Sequence, residues 1–171
     1  MSKNVYFPRL FSPLQIGRRT LRNRIALPAT TTNYGARNRV TDRWISFLAE
    51  RAKGGAGMVI TEIIAVDPAA LCQASTVTGY EAENEDGFKR AAAAVEGEGA
   101  CLIAQLWHPG RQQLWSPVAS PKGISDQPDA YSWTVPHVMS TSELRQVVDE
   151  YVAVAKRFKQ CGFGGLSLIH I

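Results

Sequence analysis

Four short apolar runs, each closed by turn residues and separated by segments of helical periodicity, restrict this chain to few folds. The runs occupy 24–28, 57–63, 100–106 and 163–169. Apolar runs of this length without alternation fit strands buried on both faces. Between them, Trp44, Ile45, Leu48, Ala49 and Ala52 follow helical spacing over 42–53, with Thr41 as N-cap and Gly54-Gly55 as the stop. A second helix is predicted over 84–98, with Phe88, Ala91, Ala92 and Val95 on one face. A third opens on the capping box Ser140-Thr141-Ser142-Glu143 and runs to about Gln160. Its buried stripe is read as Leu144, Val147, Val148, Tyr151, Val152, Ala155 and Phe158. Alternation of strand and helix predicts a parallel α/β sheet with right-handed crossovers.

The remaining segments are punctuated by turn residues. Residues 14–23 alternate around Gly17 and predict a small hairpin. Residues 29–36 form a polar loop, and 64–83 are irregular, with Asp67-Pro68 as a turn. The long loop 108–139 holds five of the nine prolines, together with Trp115 and Trp133. A loop of that length is functional or disordered, and the aromatics argue against plain disorder.

Length and charge set bounds on partners. A chain of 171 residues suits one domain with a sizeable core. Its +4 charge is mild and its Lys and Arg residues are scattered, so no nucleic-acid partner is expected. No apolar run approaches the roughly 20 residues of a membrane helix. Cys72, Cys101 and Cys161 include no CxxC pair, which argues against a zinc site and for a reducing, cytoplasmic setting. Cys72 and Cys161 read as buried apolar fillers.

The third run is the most informative. Cys101-Leu102-Ile103-Ala104 is apolar, and Gln105, Trp107, His108 and Arg111 then follow with Pro109-Gly110 turning the chain. Polar and aromatic groups at the end of a buried strand suit two readings: the ligand edge of a parallel α/β fold, or a core strand followed by a capped loop. His108 is read as bonding the loop backbone and Arg111 as pairing with a carboxylate.

Four motifs in order resemble the Old Yellow Enzyme family of flavin oxidoreductases, N-terminal half only. They are Arg9-Leu10-Phe11-Ser12-Pro13-Leu14, Leu21-Arg22-Asn23-Arg24-Ile25, Arg51 to Gly57 with Ile60-Thr61-Glu62, and Gln105 to Arg111. The resemblance implies a partial TIM (β/α)8 barrel, about the first four strands with an N-terminal hairpin. Residues 1–171 would be the N-terminal half of a single FMN-binding domain, C-terminally truncated. It implies FMN as cofactor and NAD(P)H as hydride donor. Cofactor contacts would fall on Pro28, Ala29, Thr30, Thr31, Ile63 and Gln105, and Trp107 would shape the substrate pocket. Thr31 would lie near the flavin O4, and the Gln105 amide would serve the pyrimidine edge as donor and acceptor.

The implied activity is reduction of activated C=C bonds in an enone-like small molecule, by a parent that could be a homo-oligomer. The alternatives are an amine dehydrogenase or demethylase on the same barrel, and a non-catalytic fragment. The chain departs from the family at its end. The pattern Gly-Phe-Asp-Gly-Val-Glu-Ile-His aligns with 162–169, which places Gly164 at the Asp and Ile169 at the substrate-binding His. His170 comes one place late and would face the other side of a strand. No catalytic residue is assigned, and 166–171 read like a sequencing adapter translated in frame.

Overall fold

The computed structural model describes residues 6–113 and 120–169. Strands β1 (Leu14–Ile16) and β2 (Arg19–Leu21) form the expected antiparallel hairpin, with Gly17 at φ +54° in the turn. Strand β3 (Ala26–Leu27) is shorter than the predicted run at both ends, and it stops at Pro28, which has no N–H to extend a ladder. Helix α1 (Asp42–Lys53) starts where the Thr41 hydroxyl accepts the Trp44 N–H, 3.2 Å away. Strand β4 (Met58–Ala65) runs two residues beyond expectation. Short strand β5 (Val77–Thr78) pairs with its end, inside the stretch read as irregular.

Helix α2 (Glu85–Gly97) buries Phe88, Ala91, Ala92 and Val95, the predicted face. Strand β6 (Cys101–Trp107) follows. The long loop then carries two short strands, β7 (Lys122–Gly123) and β8 (His137–Val138), paired in parallel. Helix α3 (Thr141–Gln160) opens on the full capping box, and β9 (Gly165–Ile169) ends the described chain. Trp115 and His170 lie outside the described residues.

All pairings in the main sheet are parallel, in the order β3-β4-β6-β9, with β5 against β4. Strand order follows chain order, so each helix crosses over to the next strand along. Val59, Ile64, Leu102, Ala104 and Leu106 face the helices and are buried in one core with Trp44, Leu48 and Val154. Phe88 ties the layer together: its ring lies 4.6 Å from Phe158, 6.1 Å from Phe163 and 6.4 Å from Trp44. Tilted and edge-to-face rings at such separations add to the stabilisation from burial alone.

The stripe of α3 needs correction. Val147 and Phe158 are buried as read, Tyr151 and Ala155 are half-buried, and Val154 joins the core unpredicted. Leu144, Val148 and Val152 are exposed instead, Val148 by 60%. They sit four residues apart on one flank, where Leu144 and Val148 border an open cleft beside β7, and on β9 Leu166 and Leu168 are exposed likewise. Cys161 is buried as expected, whereas Cys72 is only half-buried, with its sulfur 2.9 Å from the Thr76 hydroxyl.

Gly164, just before β9, lies tight against β6. A Cβ there would run into Cys101 Sγ. Without that sulfur the nearest neighbours would be Arg19 Nε at 3.5 Å and the Leu102 carbonyl at 3.6 Å. Gly164→Ala should therefore lose about 1–3 kcal/mol through overpacking, and Cys101→Ala in the same chain should recover most of it. Urea denaturation of the two variants measures both effects.

The capping box gives an acid dependence. The Ser140 N–H, the Ser140 hydroxyl and His137 hold the Glu143 carboxyl from its usual 4.5 down to about 2. A depressed carboxyl stabilises the fold above its unfolded pKa and loses that contribution as pH falls to the folded value. The difference in stability between wild type and Glu143→Gln should thus shrink between about pH 5 and pH 2, as denaturant midpoints along that series will show.

Candidate functional site

The site begins with an irregularity in the central strand. Ile60 of β4 pairs with Ile103 of β6, and the next pair is Ile63 with Gln105. Three steps along β4 thus match two along β6, which is a bulge holding one extra residue. Simple alternation from Ile60 would aim Glu62 at the sheet face away from the helices. The extra residue places Ile63 there instead, beside Gln105.

Continuing the register, Gln105 pairs with Ser167, while Trp107 lies between Ala65 and Ile169. Ile63, Gln105 and Ser167 share the face opposite the helical core, and the Gln105 amide donates to Ser167 Oγ at 3.2 Å. The Gln105 side chain is therefore anchored on a neighbouring strand's hydroxyl rather than on backbone.

Both bulge residues face neighbouring segments. The Thr61 hydroxyl accepts the Gln105 N–H at 3.0 Å and donates to the Glu62 carbonyl at 2.8 Å. The Glu62 carboxylate is 5% exposed and has no cationic partner within ion-pair distance among the described residues. It is satisfied by the segment after β3: Oε2 accepts the Thr32 N–H at 2.8 Å and the Asn33 N–H at 3.2 Å, and Oε1 accepts the Thr32 hydroxyl at 2.6 Å. Asn33 has φ +56°, and left-handed backbone lets successive N–H groups converge on one anion.

The remaining predicted residues fall in place around this pair. Pro28, Thr30 and Thr31 are exposed and Ala29 is half-buried, all in the segment leaving β3. The Thr30 hydroxyl makes a long 3.4 Å bond to the Pro28 carbonyl, and the Thr31 hydroxyl has no partner among the described residues. Thr31 neighbours the Glu62-bound Thr32, Ile63 follows Glu62, and Ile63 pairs with Gln105. The structure thus brings Thr31, Ile63 and Gln105 to the C-terminal ends of adjacent strands. Trp107 is half-buried at the last pairing of β6, and its partner Ile169 offers no polar group. Thr61 and Glu62 carried no role of their own in the sequence reading. Their signal was a polar pair inside the apolar run Met58 to Ile64, where burial demands partners.

A second polar cluster lies off this face. His108 Nδ1 accepts the Gly110 N–H at 3.0 Å, the loop bond expected of it. Burial, and then the Lys122 charge, push the His108 pKa down. The neutral ring therefore carries its proton on Nε2, which sits 3.9 Å from Asp67 Oδ2. Burial also raises Glu150, and it lifts Tyr151 to about 12. His108 and Tyr151 line a cleft of about 550 Å³ between the long loop and α3. Arg111 forms no ion pair among the described residues, contrary to expectation; its charge acts on Asp129 at longer range.

The bonds around the bulge can be tested directly. Thr61→Val leaves the buried Gln105 N–H without its acceptor and should cost about 1–3 kcal/mol, with faster exchange of the Gln105 amide. Denaturation and hydrogen exchange of that variant measure the two effects.

This arrangement matches known proteins over nearly its whole length. The sequence profile of the NADH:flavin oxidoreductase / NADH oxidase family matches residues 9–170. A metal reductase of Desulforamulus reducens is 32% identical over 168 residues, covering 94% of this chain and 24% of the relative. An NADH oxidase of Thermoanaerobacter brockii is 32% identical over 167 residues, covering 95% of this chain and 26% of the relative. The chain therefore spans about a quarter of the length of these two relatives. A morphinone reductase solved in complex with tetrahydroNAD superposes with a TM-score of 0.86 at 25% identity, over 94% of this chain and 49% of that one.

Proposed function

Because this chain belongs to the NADH:flavin oxidoreductase / NADH oxidase family, we propose that it carries the first strands of an FMN-binding (β/α)8 barrel, in a protein that uses NAD(P)H to reduce activated C=C bonds. One observation carries the reading. Thr31, Ile63 and Gln105 come from three segments far apart in sequence and meet at the C-terminal ends of adjacent parallel strands. Ligands of α/β folds bind at that end.

The residues present fit a flavin. Its ring is flat and apolar with a polar edge, and needs an apolar surface with a few placed donors and acceptors. Ile63, Pro28 and Ala29 supply the surface. The Thr31 hydroxyl is unpartnered among the described residues, and the Gln105 amide is held by Ser167 with acceptor capacity to spare. Gln105 would orient the pyrimidine edge, and Thr31 would donate a hydrogen bond at the carbonyl that gains charge on reduction. Bound FMN supplies hydride transfer between a nicotinamide and an electron-poor C=C bond. Trp107 would form an apolar wall for the substrate. The histidine that would bind the substrate's carbonyl oxygen at this strand position is replaced by Ile169, so the 171-residue chain alone is proposed to be inactive.

Titration of the ¹⁵N-labelled chain with FMN tests the cradle. Amide shifts clustered at Thr31, Ile63 and Gln105 are expected, and shifts scattered over the surface would overturn the reading. In the full-length protein, cyclohexenone should drive NADPH oxidation. Dye reduction driven by an N-methyl amine, without enone reduction, would replace ene reduction with demethylation.

A further inference from the structure

We propose that Glu62 is the positioning residue of the flavin cradle: its buried carboxylate grips the chain just after Thr31 and sets where the Thr31 hydroxyl points. The inference rests on the FMN reading above. The carboxylate is 5% exposed, and three donors from two consecutive residues satisfy it. None of the three belongs to its own strand. A buried charge without a cation is held only where its hydrogen bonds are complete, so the chain at 32–33 cannot drift without stranding it.

The grip extends one residue further. The Thr32 hydroxyl that donates to Glu62 also accepts the Tyr34 N–H at 3.2 Å, which closes the turn. Thr31 stands one residue before the gripped Thr32, and its hydroxyl stays unpaired among the described residues. On the other side of the same bulge, the Thr61 hydroxyl holds the Gln105 backbone at 3.0 Å. Two adjacent residues therefore set the spacing between both polar contacts of the cradle. Neither needs to touch the cofactor to do so. A flavin edge has fixed dimensions, so that spacing decides whether Thr31 and Gln105 can be used together.

Thr32→Val removes the hydroxyl from the grip and keeps the backbone donors, and Thr32→Ser restores the hydroxyl. In FMN titrations followed by NMR, Thr32→Val should weaken binding about tenfold, in line with one lost charge-assisted hydrogen bond, and Thr32→Ser should match wild type. Glu62→Ala should weaken it further. Equal FMN affinity in all the variants would overturn the proposal. Amide exchange without FMN supplies a second reading. Exchange at Thr32 and Asn33 should speed up in Thr32→Val while the Phe88 amide keeps its protection; unchanged exchange at both would also overturn it. If wild type shows no clustered FMN shifts, the FMN reading fails, and amide exchange alone still decides whether the grip exists. Thr32→Val keeps the test open should Glu62→Ala not fold.

Discussion

One extra residue in β4 decides what the rest of this structure can present. The sheet face toward the helices needs an unbroken apolar set, and Val59, Ile64, Leu102, Ala104 and Leu106 supply it. The other face must carry chemistry. The bulge between Ile60 and Ile63 satisfies both demands, returning Ile64 to the core while turning Ile63 beside Gln105. It also leaves Thr61 and Glu62 free of simple strand alternation, and both take hydrogen bonds that join neighbouring segments. A buried carboxylate so placed would be costly without hydrogen bonds, and the segment 32–33 supplies three of them.

The helical layer keeps this device in register. Phe88 contacts rings from α1, α3 and the chain entering β9, so the three helices pack as one unit over the sheet. Close packing fixes strand order and height, and strand height places Gln105 level with Ile63 and Ser167. The layer ends at the flank of α3, where Leu144, Val148 and Val152 stand exposed.

Much of the site could be read from residues in order. Gln105 announced itself as an amide closing an apolar run, and the His108 bond to the Pro-Gly turn followed from local chemistry. Ile63 came from family likeness alone, because alternation without the bulge would turn it toward the helices. Nothing local to Glu62 reveals its role, since its partners lie about thirty residues away at Thr32 and Asn33. The stripe of α3 was misassigned because periodicity shows which residues are apolar and cannot show which flank a neighbour covers. Arg111 was given a carboxylate on the strength of its charge, and charge alone does not name a partner.

Residue order alone dictates the alternation of strands and helices, the caps at Thr41 and Ser140, the buried face of α2 and the family. These rest on local propensity, turn chemistry and periodicity, which act within a few residues. The bulge, the Glu62 grip on 32–33, the Thr61 support of Gln105 and the close contact of position 164 with Cys101 arise from long-range packing. Each depends on atoms that chain order separates and packing brings within bonding or contact distance, and no local rule carries that information.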